Sequence, residues 1–264
     1  MTIPFTKAHG AGNDFLLTWT ELAPAHHLPD VARAICERHT GVGADGWMLV
    51  DARDPLRPSI RLFNSDGSEP EISGNGTRCA AALLYHSGKA SGDAVHIRTG
   101  AGVKELRLME WSGARYTFEM NMGQPRVVEK VQSIQTDVGN VDATLLDVGN
   151  PQVAILCPEF PANWRELGAA IERHPMFPNR TNVSFVRVLD EHIIDVVFYE
   201  RGVGETMSSG TGSTGAAAAA ILRGLAKSPV RVMTPAGDLH LRWTDSIWLT
   251  GPAEIVATGE YLIS

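Results

Sequence analysis

Cysteine is scarce in this chain. Cys36, Cys79 and Cys157 are odd in number and form no C-x-x-C, which excludes a disulfide framework and leads us to expect a reduced, cytoplasmic compartment. Long apolar runs are missing too. The longest Ala-rich stretch, Gly215 to Leu222, is under half of the about 18 residues that a membrane span requires. The opening Met1-Thr-Ile-Pro-Phe-Thr-Lys lacks the charged-then-apolar order of a signal peptide, so none is expected. No Lys/Arg run occurs, and 23 basic against 30 acidic residues leave a net charge of −7, which argues against a phosphate-backbone binder. The nine histidines are scattered, with His26-His27 the one close pair and no H-E-x-x-H, so no metal site is expected. No G-x-x-x-x-G-K-[ST] is present. Gly41-Val-Gly-Ala-Asp-Gly46 formally fits G-x-G-x-x-G but precedes a strand-like run. Gly210-Thr-Gly-Ser-Thr-Gly215 does open a helix, but about nine residues after the preceding strand, where a dinucleotide fold turns tightly. No nucleotide cofactor is expected.

What is present is an ordinary globular balance, 44% hydrophobic and 20% charged residues over 264 positions, a length that suits two lobes. Glycine carries the main signal. Ser73-Gly-Asn-Gly-Thr77 matches Ser209-Gly-Thr-Gly-Ser213 at an offset of 136, and an alanine run follows each, Ala80–Ala82 and Ala216–Ala218. Upstream, Gly12-Asn-Asp14 aligns with Gly149-Asn-Pro151 at an offset of 137, and Leu62-Phe-Asn64 with Phe198-Tyr-Glu200 at 136. Matches in the same order at a nearly constant offset indicate an internal duplication.

The periodicities agree. Strand-like runs fall at Phe15–Trp19, Trp47–Val50, Ser59–Phe63, Ala94–Arg98, Lys104–Leu108 and Tyr116–Met120. A second set falls at Val153–Cys157, Val183–Val188, Ile193–Tyr199, Val230–Thr234, Leu239–Trp243 and Ile247–Thr250. Amphipathic helices are expected at Pro29–Arg38 and Trp164–Arg173. The segments from about Gly76 to His86 and from about Gly212 to Arg223 are helical and apolar on nearly every face, which implies burial against or inside a sheet. The expected fold is α+β: two similar, pseudo-symmetric lobes, each a curved β-sheet or barrel around a central buried helix. The expected limits are 1–117 for the first lobe and 118–251 for the second.

A small residue followed by Gly-x-Gly at the mouth of a buried helix leaves backbone N–H groups unpaired, and with the helix dipole these favour an anion or developing negative charge. Two such mouths, flanked by Ser73 and Ser209, suit a carboxylate or a carbanion beside one. The alternative is that each serine is simply an N-cap and each glycine a packing residue.

These residues resemble the diaminopimelate epimerase family. The resemblance covers essentially the whole chain. It is carried by Lys7-Ala-His-Gly-Ala-Gly-Asn-Asp-Phe15, Arg38-His-Thr-Gly-Val-Gly-Ala-Asp-Gly46, Phe63-Asn-Ser-Asp-Gly-Ser-Glu69 and Ser73-Gly-Asn-Gly-Thr-Arg-Cys79. Gly149-Asn-Pro151, Arg180-Thr-Asn-Val183, Glu200-Arg-Gly-Val-Gly-Glu-Thr206 and Ser209-Gly-Thr-Gly212 complete it. The resemblance implies two lobes around a cleft that holds the active site, with a C-terminal strand, about 252–264, returning to the first lobe. It implies conversion of LL- to meso-diaminopimelate in lysine and peptidoglycan-precursor biosynthesis, without pyridoxal phosphate. The partner implied is a small amino acid, with neither nucleic acid nor membrane; a homodimer stays open. Asn64, Asn182 and Arg201 would hold the distal amino-acid end. The backbone of Gly74, Asn75, Gly210 and Thr211 would hold the reacting carboxylate. Asn13, Asn150 and Glu200 would orient the α-centre and its ammonium.

In this family one cysteine thiolate removes the α-proton and a second thiol reprotonates the opposite face. By motif those catalytic positions are Ser73 and Ser209 here. A thiol titrates near about 8.5, whereas an aliphatic hydroxyl lies at least roughly 5 units higher, a difference of about 7 kcal/mol. No histidine or lysine motif adjoins either serine. Gln152 is a further departure, where the family often has histidine after Gly-Asn-Pro. Three readings follow: an epimerase whose two thiols have been changed to serine and which is therefore inactive, a relative acting as another amino-acid isomerase or dehydratase, or a non-catalytic binder of diaminopimelate-like amino acids.

Overall fold

The alternating runs form strands and the two glycine motifs open helices, as residues 2–263 of a computed structural model show. The chain divides into two units, Met1–Met120 with Gly251–Ser264, and Asn121–Thr250.

The first unit contains β1 (Thr2–Gly10), β2 (Asn13–Trp19), α1 (Leu28–Cys36), β3 (Gly46–Asp51), β4 (Ser59–Asn64), α2 (Gly74–His86), β5 (Ala94–Thr99), β6 (Gly102–Ser112) and β7 (Arg115–Gly123). The last strand of the chain, β16 (Ile247–Leu262), pairs residues 254–262 with β1 and closes an eight-stranded barrel in the order β1-β2-β3-β4-β5-β6-β7-β16. The second unit contains β8 (Arg126–Thr136), β9 (Gly139–Asp147), β10 (Pro151–Leu156), α3 (Trp164–Glu172), β11 (Asn182–Asp190), β12 (Ile193–Glu200), the short β13 (Gly204–Thr206), α4 (Gly210–Leu222), β14 (Val230–Thr234) and β15 (Gly237–Trp243). Its strand order is β8-β9-β10-β11-β12-β14-β15, extended by the first residues of β16.

The duplication is visible in the pairing. Along β1-β2-β3-β4-β5-β6 the pairs run antiparallel, parallel, antiparallel, parallel, antiparallel. Along β9-β10-β11-β12-β14-β15 the same alternation recurs. In each unit one helix packs with strand side chains in an apolar cluster. Ala32 and Ile35 of α1 join Leu16, Trp47 and Phe63, while Trp164, Leu167 and Ile171 of α3 join Val153, Val183 and Phe185.

The other helix is enclosed. α2 packs against β1, β2, β4 and β5, and α4 against β9, β10, β11, β12, β14 and β15. A helix surrounded by strands has room only for short side chains, which is why Ala80–Ala82 and Ala216–Ala220 are all buried. Both helices have thirteen residues and end alike: Gly88 and Gly224, 136 apart, take the left-handed conformation at φ 70° and 72° that terminates a helix and that glycine adopts without strain. No described helix is long and apolar enough to cross a membrane.

Candidate active site

The two glycine motifs produce nearly the same local structure. Ser73 and Ser209 both sit in extended backbone at the N-cap, and their Oγ atoms accept from the N–H of Gly76 at 3.1 Å and of Gly212 at 3.0 Å. The capping reading therefore holds for both serines. Capping satisfies one N–H of each first turn, at the third helical residue. It leaves the N–H groups of Gly74, Asn75, Gly210 and Thr211 without an intrahelical acceptor, the condition for binding an anion.

In the first unit, Ala11 and Gly12 both take positive φ, 50° and 77°, in the sharp turn that delivers Asn13. For alanine this conformation costs about 1 kcal/mol. Asn13 is buried; its Nδ2 donates to Asp45 Oδ2 at 2.6 Å and its Oδ1 accepts from Asn75 Nδ2 at 3.2 Å. Asp14 and Asp45 are stitched together by Arg38, whose Nη2 lies 2.8 Å from a carboxylate oxygen of each, and Lys7 Nζ lies 3.0 Å from Asp14. Burial alone would raise Asp14, but its bonds to Arg38 and Lys7 outweigh that and hold its carboxyl below the ordinary range. Asp45 is pushed up by burial and by the charge of Asp14. Asn64 ends β4 and closes the next turn, with its Nδ2 donating to Ser68 Oγ at 3.0 Å. A cavity of about 260 Å³, lined in part by Arg61, Glu69, Ser73 and Arg98, opens beside the half-buried Ser73.

In the second unit, Gly149 takes φ 100° ahead of Asn150, as Gly12 does ahead of Asn13. Asn150 Nδ2 donates to Thr211 Oγ1 at 3.4 Å, and Asn150 Oδ1 accepts from Gln152 Nε2 at 2.7 Å. Gln152 is buried beneath Gly215, where an added Cβ would come within 3.1 Å of it. Asn182 opens β11, donates to Pro151 O at 3.0 Å and accepts from the Arg201 N–H at 3.0 Å. The strained turn before it, with Arg180 at φ 61°, is tied by the Arg180 guanidinium to the buried Glu172 at 2.5 Å. Arg201 Nη1 donates to Asn179 O at 3.2 Å. Ser209, only 2% exposed, donates its hydroxyl to the Glu200 carboxylate. Sequence reasoning placed no activating group beside Ser209; the group that stands there is a carboxylate.

Asn13 and Asn75 are thus joined within the first unit, as are Asn150 with Thr211, Asn182 with Arg201, and Glu200 with Ser209 within the second. Sequence reasoning passed over Asp45, Arg78 and Glu172. The first two lie inside motifs quoted above, so the signal was a charged residue within a glycine-rich run. The three thiols offer no substitute base. Burial pushes Cys36 and Cys79 up to about 12 and raises Cys157.

A closed barrel and a second sheet, each with a serine-capped helix that has an asparagine at its mouth, define a class of α+β folds built from two similar units. A hydroxyproline epimerase from Agrobacterium vitis, solved with bound trans-4-hydroxy-L-proline, superimposes with a TM-score of 0.75 at 16% identity, over 98% of this chain and 92% of that one. The family profile described as diaminopimelate epimerase matches residues 5–128 and 144–261. The diaminopimelate epimerase of Pelotomaculum thermopropionicum is 38% identical over 274 residues, 97% of this chain and 98% of that protein. That of Moorella thermoacetica is 38% identical over 275 residues, again 97% and 98%. The chain belongs to the diaminopimelate epimerase family.

Proposed function

We propose that this chain binds diaminopimelate in the manner of its family but does not epimerise it, because serine stands at both base positions. The observation that carries the reading is the state of the two hydroxyls: each is committed as a helix cap, and Ser209 also donates to Glu200. Deprotonating such a hydroxyl is about 7 kcal/mol harder than deprotonating a thiol, a loss of roughly five orders of magnitude in available base. The other residues in the family's motifs support binding. The N–H groups at the helix starts, which lack an intrahelical acceptor, suit the reacting carboxylate. Arg201 and Asn182 suit the distal amino-acid end, and Glu200, Asn13 and Asn150 the α-ammonium.

With thiols placed at 73 and 209, the reaction would be proton removal from the α-carbon by one thiolate and delivery from the other thiol, with the helix N-termini stabilising the carbanion. No external cofactor enters this scheme. The test is α-proton exchange in deuterated water with LL- and meso-diaminopimelate, for the parent chain and a Ser73→Cys, Ser209→Cys double variant. Exchange in the double variant alone is the expected result. Exchange in the parent would contradict the reading. Absence from both would favour an isomerase or dehydratase acting on another amino acid, for which Glu200, a carboxylate seated against Ser209, would be the base.

A further inference from the structure

Arg78 is the fully buried charged residue of α2, 0% exposed, and the corresponding position of α4 is Thr214. Its Nε donates to Pro252 O at 3.1 Å and its Nη2 to Asn75 Oδ1 at 2.6 Å, while Nη1 has no hydrogen-bond partner among the described residues. Side chains on a helix lean toward its N-terminus, so a residue on the second turn reaches back to Asn75 on the first. A guanidinium buried with an unsatisfied nitrogen is a poor stabilising device, since an apolar side chain of similar volume often serves as well or better. Its presence there calls for a reason other than stability.

The hydrogen-bond chain supplies one. Arg78 carries only donors, so the atom of Asn75 that faces it must be the carbonyl oxygen Oδ1. The Asn75 amide nitrogen is then turned to Asn13 Oδ1, which turns the Asn13 nitrogen to Asp45 Oδ2. Asp45 Oδ2 also accepts from the Asp14 N–H, which sets that oxygen as an acceptor and fixes the far end of the chain too. Arg38 in turn holds Asp45 Oδ1 at 2.8 Å. Every bond donates in one direction, from Arg78 through Asn75 and Asn13 to Asp45. Gly10 completes the packing: a Cβ there would come within 3.2 Å of Arg78 Nη2 and 3.1 Å of Asn75 Cβ.

We propose that Arg78 and Asp45 are positioning residues that lock the amide orientations of Asn75 and Asn13 from opposite ends, so that both present a set pattern of donor and acceptor to the amino-acid ligand. The importance of that pattern for binding rests on the functional reading above; the locking itself does not. An asparagine amide differs little in shape between its two orientations but exchanges donor for acceptor, so an unlocked pair spends part of its time in the wrong state.

The test is nuclear magnetic resonance of the side-chain amides of Asn13 and Asn75 in the ¹⁵N-labelled parent chain and in Arg78→Met, with melting temperatures of both. In Arg78→Met the two amides are expected to shift and to exchange with water at least roughly tenfold faster. The backbone amides of α4 should stay unchanged and the melting temperature equal or higher. Calorimetric titration with meso-diaminopimelate is expected to show binding weakened about tenfold or more in the variant. Arg78→Lys, which keeps a donor-only end, should restore the amide pattern in part, and Asp45→Ala should disturb Asn13 more than Asn75. The two latter variants give the same readout if Arg78→Met does not fold. A lower melting temperature with both side-chain amides unmoved would show a merely structural role and overturn the proposal. If the parent does not bind meso-diaminopimelate, the functional reading fails, while the amide readout, which needs no ligand, still decides the locking.

Discussion

Ser73 and Ser209 cap helices of equal length in matching backbone conformations, yet their surroundings differ. Ser73 is half-buried beside an open cavity, with Asn64 ending the strand before it. Ser209 is buried against the carboxylate of Glu200, the residue that corresponds to Asn64 in the duplication, and Arg201 follows where the first unit has Ser65. The second unit thus carries one charge of each sign at the end of β12, where the first has two neutral residues. In the first unit Arg61, Glu69 and Arg98 line the cavity beside Ser73, and further charges lie in Arg78 and the cluster of Lys7, Asp14, Arg38 and Asp45. What the backbone demands was kept in both copies: the capping hydroxyl, the Gly-x-Gly, the alanine core, the left-handed glycine at the helix end. What the side chains do chemically has diverged.

The largest effect that sharpens this contrast concerns the cation present in one unit only. Arg201→Ala is expected to weaken meso-diaminopimelate binding by about 2–4 kcal/mol, as losing a fork-shaped partner of a carboxylate does. Ser65→Ala at the matching position should change it less than about twofold. Calorimetry that finds equal effects would break the assignment of the distal end to the second unit.

Next in size are the paired glycines. A Cβ on Gly212 would meet the buried Phe198 ring at 2.8 Å, whereas one on Gly76 would meet the terminal methyl of Met48 at 2.7 Å. A confined ring yields poorly and a methionine tip readily. Gly212→Ala should therefore lower stability by about 1–3 kcal/mol. Gly76→Ala should stay within about 1 kcal/mol of the parent, helped by alanine's better helix propensity. Urea unfolding measures both, and equal losses would remove the distinction.

The smallest effects belong to the caps. Ser73→Ala removes one cap bond, about 0.5–1 kcal/mol, while Ser209→Ala also strips Glu200 of a donor in a buried place, about 1–2 kcal/mol in total. Thermal unfolding with the first variant less stable than the second would contradict the burial difference described here.

Much of this was legible in the sequence. Both buried helices, both amphipathic helices and twelve strand-like runs were marked by period and punctuation, and the structure starts the two buried helices only about two residues earlier. The misses have physical causes. β1 contains Pro4, which weakens a strand reading, although the segment pairs with β2 on one side and β16 on the other. β8 exposes its first six residues on both faces and twice shifts register, so no period of two survives in Arg126–Thr136. The far half of β16 is similarly exposed; the strand expected at about 252–264 rested on the family resemblance and not on any period. At the candidate site, the serines, asparagines and glycines stood out because their motifs recur. Arg78 and Asp45 did not: Asp45 acts through a long-range bond to Asn13, and Arg78, which bonds Asn75 on its own helix, is held there by a long-range bond to Pro252. Period and spacing cannot show such contacts. The Ser209–Glu200 bond was hidden for the same reason, since it forms only once β12 and α4 have packed.

The most direct test of the central claim is conversion of LL- to meso-diaminopimelate by four proteins under one condition: the parent chain, Ser73→Cys, Ser209→Cys, and the double variant. The account predicts conversion by the double variant alone, because epimerisation needs one base to remove the α-proton and a second to return it to the opposite face. Conversion by the parent or by either single variant would contradict it.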